Sequence, residues 1–445
     1  MLFRKIGQYI EEHLSSGSDK ILIVEGARQV GKSFIIRAVG SRLFKHFVEV
    51  NMAEDAEGRG LFRNVHTTEE FYFTLSIVAG DTLGTAGDTL VFIDEIQTYP
   101  QYLTLLKFLR QEGHFRYIAS GSLLGIALRH TTSIPVGSII CKQMYPLDFE
   151  EFLIANGVAP QAISVTLKGK YASRESLDEQ LHAHLLSLFR RYLIVGGMPD
   201  AVNEYLQTRN IVKVREIQDA IRQMYCADAT KYEHDSGRNL LIRRIYDMVP
   251  SQLENKKRRI VARDIRGKEG DRFMRYGDEF EYLLSSGIAI GVHAIANPRF
   301  PLVESAHKNL LKLYLNDVGM LTARLYRNNV DAIISGGEGV NIGAVYENAV
   351  AQELKAHGHE LFYYDNRKKG EVDFIVDDYS RLSILPIEVK SGKDYAVHSA
   401  LTNMLSTADY HVESALVLSN TRKIVTVGKK TYLPVYFAMF IAQGS

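Results

Sequence analysis

Gly26-Ala27-Arg28-Gln29-Val30-Gly31-Lys32-Ser33 is the stretch whose reading decides the fold. It satisfies GxxxxGK[ST] in full, with the apolar run Ile21–Glu25 before it and a helical pattern from Lys32 to Phe44 after it. Glycines let such a loop curl until successive backbone N–H groups face a phosphate, and the following helix N-terminus adds its partial positive charge. In this arrangement Gly26 to Ser33 would hold a nucleotide, with Lys32 on the β/γ-phosphates and the Ser33 hydroxyl on Mg²⁺. A glycine turn that binds nothing is the plain alternative.

A second signal lies in Leu90-Val91-Phe92-Ile93-Asp94-Glu95, an apolar strand that ends in two acids. At the carboxyl end of a strand neighbouring the loop, Asp94 would hold the Mg²⁺ shell and Glu95 would orient and polarise the attacking water. The same pair could instead cap a helix. Arg116-Tyr117-Ile118-Ala119-Ser120-Gly121-Ser122 reads as a further strand ending in hydroxyls, where Ser120 is a candidate sensor of the γ-phosphate or of the lytic water. Strand ends rich in Ser and Gly also serve as plain turns. No guanine-reading Asn-Lys-x-Asp occurs in the first 150 residues, which favours ATP over GTP.

Outward from these motifs, the first 150 residues alternate strand and helix patterns: Phe47–Asn51, Thr89–Ile93 and Arg116–Ser120 read as strands, and Tyr102–Arg110 as a helix. That alternation predicts a parallel sheet with helices on both faces. From Phe149 to about Thr230 the apolar spacing turns helical (Leu181, Leu185, Leu188, Tyr192), punctuated by Gly196-Gly197-Met198-Pro199. The last hundred residues return to mixed α/β, and the apolar Leu433–Ala442 reads as a buried terminal strand.

The chain has 445 residues, 46% hydrophobic and 24% charged, which excludes disordered, collagen-like and disulfide-stapled classes. At roughly 150 residues per domain the length suggests about three domains, and the pattern raises that to four. The expected divisions are 1–150, 151–235, 236–320 and 321–445. Two cysteines, Cys141 and Cys226, stand in no metal-binding spacing and fit a reducing compartment. Met1 to Ser16 reads as an amphipathic helix and not a signal peptide, and no apolar stretch reaches about 18 residues. A soluble, cytoplasmic protein with no membrane contact is the expectation.

A net charge of +1 hides a local imbalance. Residues 236–319 hold 15 Lys or Arg against 10 Asp or Glu, and Lys256 to Arg275 alone hold nine basic residues against three acids. Helical patterns at Leu240–Leu253 and Phe273–Ser285 precede the strand-like Ile288–Ala294. Helix, helix and ribbon is the order of a winged helix, in which residues 256–275 would contact DNA phosphates. A solvated basic loop on a packing module is the alternative. No RNA-binding aromatic signature is present.

Near the C-terminus, Gly370-Glu371-Val372-Asp373-Phe374 and Pro386-Ile387-Glu388-Val389-Lys390 form another cluster. Strand residues two apart share a face, so Glu388 and Lys390 project together, and Asp373 can join them across a hairpin. Asp373 and Glu388 would bind Mg²⁺, Lys390 would position the water that attacks a phosphodiester, and Glu347 on the helix Val345–Leu354 would complete the set. A charged solvent face is the alternative. His357-Gly358-His359-Glu360 lacks the i, i+4 histidine pair of a zinc protease and reads as a helix exit.

GARQVGKS, FIDEIQ, IASGS, MYPLDFEEFL and YLIVGGMPDAV together resemble a prokaryotic family of AAA-type ATPases whose members carry a C-terminal domain of unknown function. The resemblance covers nearly the whole chain. It implies an AAA core that binds and hydrolyses ATP, with Walker A roles for Lys32 and Ser33 and Walker B roles for Asp94 and Glu95. Many members carry a Gly-Arg step before the Tyr-Pro-Leu segment, where this chain has Gly137-Ser138. Arg129, nearby, could substitute for that arginine, with a solvated helix residue as the alternative, and homo-oligomerisation is left open. The Glu…Asp…Glu-x-Lys pattern resembles the PD-(D/E)XK nuclease superfamily. The fold class expected is therefore multidomain α/β: a P-loop AAA-type parallel sheet, a helical and winged-helix module, and a C-terminal α/β nuclease-like domain. Two functions follow as expectations. One is an ATPase coupling nucleotide state to DNA binding and cleavage; the other is an ATP-controlled regulatory or protein-binding switch with an inert nuclease fold.

Overall fold

The computed structural model describes residues 1–122, 137–232, 236–255, 258–267, 272–334, 342–366, 370–392 and 398–443. It divides into two compact units, residues 1–145 with 285–287, and residues 146–284 with 288–445.

The first unit is built on β1 (Ile21–Glu25), β2 (His46–Asn51), β3 (Thr89–Asp94), β4 (Arg116–Gly121) and β5 (Ile139–Gln143), in the spatial order β2-β3-β4-β1-β5. Every pairing in it is parallel. Helices on both faces explain why β3 is buried along its whole length and reads as an unbroken apolar run. One core cluster joins Ile21 and Ile23 of β1 and Val91 and Ile93 of β3 to Tyr102, Leu103 and Leu106 of the helix Gln101–Glu112. Because the strands run parallel, their carboxyl ends share one edge, and the glycine loop leaves β1 at that edge. β3 is not the immediate neighbour of β1, since β4 lies between them. The end of β4 is thus placed between the loop and the acids of β3.

The second unit combines helices, among them Glu179–Val195, Pro199–Thr208, Ile211–Tyr232 and Ser236–Glu254, with a mixed eight-stranded sheet. Its strands are β6 (Ala289–Ile295), β7 (Ala306–Leu315), β8 (Phe362–Asn366), β9 (Gly370–Asp378), β10 (Ser383–Val389), β11 (Ala415–Ser419), β12 (Val425–Val427) and β13 (Lys430–Pro434). The order is β12-β13-β11-β10-β9-β8-β6-β7. The ribbon expected after the second helix forms as antiparallel β6 and β7. It does not stand free as a wing, because His293, Ala294 and Ile295 pair in parallel with Phe362, Tyr363 and Tyr364 of β8. Unpaired strand edges are avoided where a neighbouring strand can satisfy them. The expected terminal strand over 433–442 ends at Pro434, and Val435–Phe440 forms a buried 3₁₀ turn. Proline cannot donate to a continuing ladder.

Among the described residues no helix is long and apolar enough to cross a membrane, and both cysteines are free thiols.

Candidate active sites

The glycine loop begins where β1 runs out. Gly26 has φ 149°, and a Cβ there would overlap the Met144 carbonyl, its carbon only 3.2 Å away, so only glycine fits. Gln29 and Gly31 also take left-handed conformations, with φ 64° and 95°, which turns the backbone into the helix Lys32–Leu43. Lys32 is 6% exposed. Its ammonium donates to the Gly26 and Ala27 carbonyls, each at 2.9 Å. Burial pulls it down to about 8, opposed by the Glu95 and Asp94 carboxylates.

Those acids converge on the loop from β3. The Ser33 hydroxyl donates to Asp94 Oδ2 at 2.7 Å, and the Glu95 backbone N–H donates to Asp94 Oδ1 at 3.0 Å. The Ser120 hydroxyl, at the end of the intervening strand β4, also donates to Asp94 Oδ1. A hydroxyl and a carboxylate already in contact offer the hard oxygen donors that Mg²⁺ takes, so the residues fit that ion. Glu95 sits in a left-handed conformation (φ 51°, ψ 45°). Its carboxylate accepts from Gln97 Nε2 and, at 3.3 Å, from the Ser122 hydroxyl. Gln97 and Ser122 were not assigned a role from the sequence. The only signal was their place in FIDEIQ and IASGS, two residues beyond Glu95 and Ser120 respectively.

Ser138 lies at the start of β5, the opposite end of the sheet from the loop, where its carbonyl accepts from Ile21 N at 3.0 Å. Its hydroxyl accepts from Arg110 Nη1 at 3.0 Å, and Arg110 also pairs with Asp19. Arg129 falls outside the described residues.

In the second unit, β9 and β10 bring Asp373, Glu388 and Lys390 together. Val389 N donates to Asp373 Oδ2 at 2.8 Å, and Lys390 Nζ donates to Glu388 Oε1 at 2.7 Å. Glu388 is 4% exposed, and its Oε2 has no partner. Burial and the nearby Asp373 push its carboxyl up to about 8, against the opposing charge of Lys390. For Lys390, burial acts downward, but Glu388 outweighs it and the net direction is up. A buried, orphaned carboxylate oxygen beside a second carboxylate suits a divalent cation.

Glu347, on the helix Gly343–Ala356, is differently engaged. Its Oε2 accepts from Tyr314 at 3.0 Å, and its Oε1 forms an ion pair with Arg258. Arg258 belongs to the basic stretch and has φ 47°. Its neighbour Arg259 pairs with Asp365 at 3.0 Å, and Arg266 lies 5.7 Å from the centre of the Tyr276 ring. Arg263 pairs with the adjacent Asp264 at 3.4 Å, so at least three of the basic side chains are committed to acids of the same unit. Lys256, Lys257 and Lys268 lie outside the described residues.

The parallel sheet, the glycine loop and the strand-end acids define a P-loop nucleotide-binding domain. Residues 18–153 match the family model of an AAA domain. Residues 186–331 match a domain of unknown function, DUF8612, and residues 342–438 match another, DUF4143. The chain therefore carries an AAA-type P-loop ATPase domain followed by two domains of unknown function. No curated protein matches it. Among solved structures, a Walker-type ATPase of Pyrococcus abyssi is 16% identical, covering 73% of this chain and 96% of that one, with a TM-score of 0.44. AMPPCP-bound DnaA from Aquifex aeolicus is 10% identical, covering 54% and 74%, with a TM-score of 0.28.

Proposed function

We propose that the protein binds and hydrolyses ATP with Mg²⁺ and couples nucleotide state to DNA binding and cleavage. The observation that carries the ATPase reading is the convergence of Ser33, Ser120 and the Glu95 backbone on Asp94, beside the buried Lys32. Backbone N–H groups from Gly26 to Ser33 cradle the phosphates. Lys32 exchanges its two loop carbonyls for β/γ-phosphate oxygens, a charge-assisted and stronger partnership. Ser33 and Asp94 would hold Mg²⁺, which would supply charge neutralisation on the phosphates. Glu95, braced by Gln97 and Ser122, orients the attacking water, and Ser120 links the phosphate end of the site to Asp94. Glu95→Gln is accordingly expected to leave ATP affinity within a few-fold of wild type and to lower turnover at saturating ATP by about 10²-fold. Wild-type turnover in that variant contradicts the role given to Glu95.

The working division is a P-loop domain over 1–150, a helical domain over 151–235, a basic module over 236–320 and a nuclease-like domain over 321–445. DNA is the proposed partner of residues 256–275, and Asp373, Glu388 and Lys390 the proposed Mg²⁺-dependent cutting group, with Glu347 as a further ligand. Supporting this is the orphaned buried oxygen of Glu388. Plasmid, linear and branched DNA incubated with Mg²⁺ and the full chain should be cut, and Asp373→Ala should abolish cutting. Intact DNA in the presence of folded protein contradicts the nuclease reading.

A second reading is favoured by the Arg258–Glu347 ion pair. A guanidinium on Glu347 competes with any metal for that carboxylate, which fits an inert nuclease fold inside an ATP-controlled switch. On this reading wild type leaves DNA intact, and its affinity for DNA or protein still changes between ATP and ADP. Gel-shift titrations with both nucleotides and with Lys32→Ala read that change.

A further inference from the structure

We propose that Asp148, Glu353 and His357 form a binding site for a transition-metal dication, Zn²⁺ by the chemistry of its donors. This site is separate from the phosphate loop and from the Asp373–Glu388 group, and rests on neither reading above. All three residues belong to the second unit. Asp148 caps the helix Phe149–Ala155, Glu353 lies in the last turn of the helix Gly343–Ala356, and His357 follows that helix directly. One ligand atom from each lies within 4.8 Å of the others.

The far side of each side chain is anchored. Asp148 Oδ1 accepts from Glu151 N at 2.8 Å, and Glu353 Oε1 accepts from Phe149 N at 2.6 Å. His357 Nδ1 stands 3.1 Å from the Ile441 carbonyl oxygen. A carbonyl can only accept, so Nδ1 carries the hydrogen, and a neutral ring then offers its lone pair at Nε2. That nitrogen faces Asp148 Oδ2 at 3.4 Å and Glu353 Oε2 at 3.9 Å. Backbone groups holding the outer atoms of metal ligands are the usual means of aiming the inner ones.

The separations decide between a proton and a metal. An imidazolium paired with carboxylates settles at about 2.7–2.9 Å, and neither contact is that short. Ligands at about 2.0–2.1 Å from a tetrahedral Zn²⁺ stand roughly 3.3–3.4 Å apart, which the first contact meets and the second approaches. Asp148 and Glu353 are 4% and 1% exposed, so their inner oxygens belong to an enclosed site. Imidazole in the donor set selects against Mg²⁺ and Ca²⁺ and suits Zn²⁺. Three protein ligands leave a fourth position for water. In place, the ion would clip the helix start at 149, the helix end at 356 and the segment at Ile441, which are far apart along the chain.

The test is zinc content of the full chain by mass spectrometry after loading with Zn²⁺ and gel filtration, with thermal melting followed alongside. Wild type should retain one Zn²⁺ per chain and melt higher with Zn²⁺ than after chelation. Asp148→Asn, which keeps a capping oxygen, and His357→Gln should each weaken zinc binding at least about a hundredfold, the upper end of what loss of an outer-shell partner costs. The zinc-dependent rise in melting temperature should vanish with it. Should either variant fail to fold, Co²⁺ substituted into wild type gives the same answer through an intense tetrahedral visible spectrum. A wild-type chain without stoichiometric zinc, a non-tetrahedral cobalt spectrum, or folded variants with undiminished zinc overturns the proposal.

Discussion

Lys32→Ala is expected to lower ATP turnover by at least about a hundredfold, through loss of the ammonium that compensates phosphate charge. The geometry makes this substitution clean. Lys32 Nζ donates to the Gly26 and Ala27 carbonyls of its own loop, so alanine removes charge from the loop with the loss of these local hydrogen bonds. Fluorescent-nucleotide titration and phosphate release measured on the same preparation separate the two consequences, loss of affinity and loss of turnover. Near-normal turnover in the variant contradicts the assignment of this lysine.

The largest effect on stability is expected at Gly197→Ala. A Cβ on Gly197 would overlap the Leu147 carbonyl oxygen and lie 2.6 Å from Leu147 N, atoms of backbone that cannot swing aside. The same backbones are tied together, Leu147 N donating to Gly197 O at 2.7 Å and Gly197 N donating to Asp317 Oδ2 at 2.5 Å. Burial lifts the Asp317 carboxyl to about 6, against the lowering effect of the Gly197, Met320 and Gly319 N–H donors. Relieving the clash would break this junction, so a cost of about 3 kcal/mol is expected. In thermal melting that corresponds to a fall of roughly 5 °C for a unit of this size. A melting temperature unchanged by the substitution contradicts the packing argument.

How much of this was legible in the residues depended on how local each feature is. The glycine loop, Asp94 and Glu95 are contiguous stretches with a fixed spacing, and the parallel sheet follows from the strand and helix alternation around them. That β4 intervenes between β1 and β3, and so lets Ser120 reach Asp94, is a matter of strand order, which periodicity does not encode. Gln97 was passed over because its role needs the backbone reversal at Glu95 to bring it back onto that carboxylate. Asp373, Glu388 and Lys390 were legible because a hairpin is a short-range structure. The Arg258–Glu347 pair was not, since it joins the basic stretch to an acid 89 positions away. His357 is a helix exit, as its sequence context suggested, yet it meets Asp148 across more than 200 residues, and no spacing rule announces such a meeting. The ribbon of β6 and β7 is legible as a pair, but its parallel partner β8 is not, because that strand comes some fifty residues later.

The ATPase claim is tested most directly by steady-state ATP hydrolysis of the purified full chain, with and without Mg²⁺ and with and without added DNA. Mg²⁺-dependent turnover that disappears in Lys32→Ala and falls in Glu95→Gln is the predicted result. Folded wild-type protein that hydrolyses no ATP, even with DNA present, would contradict it.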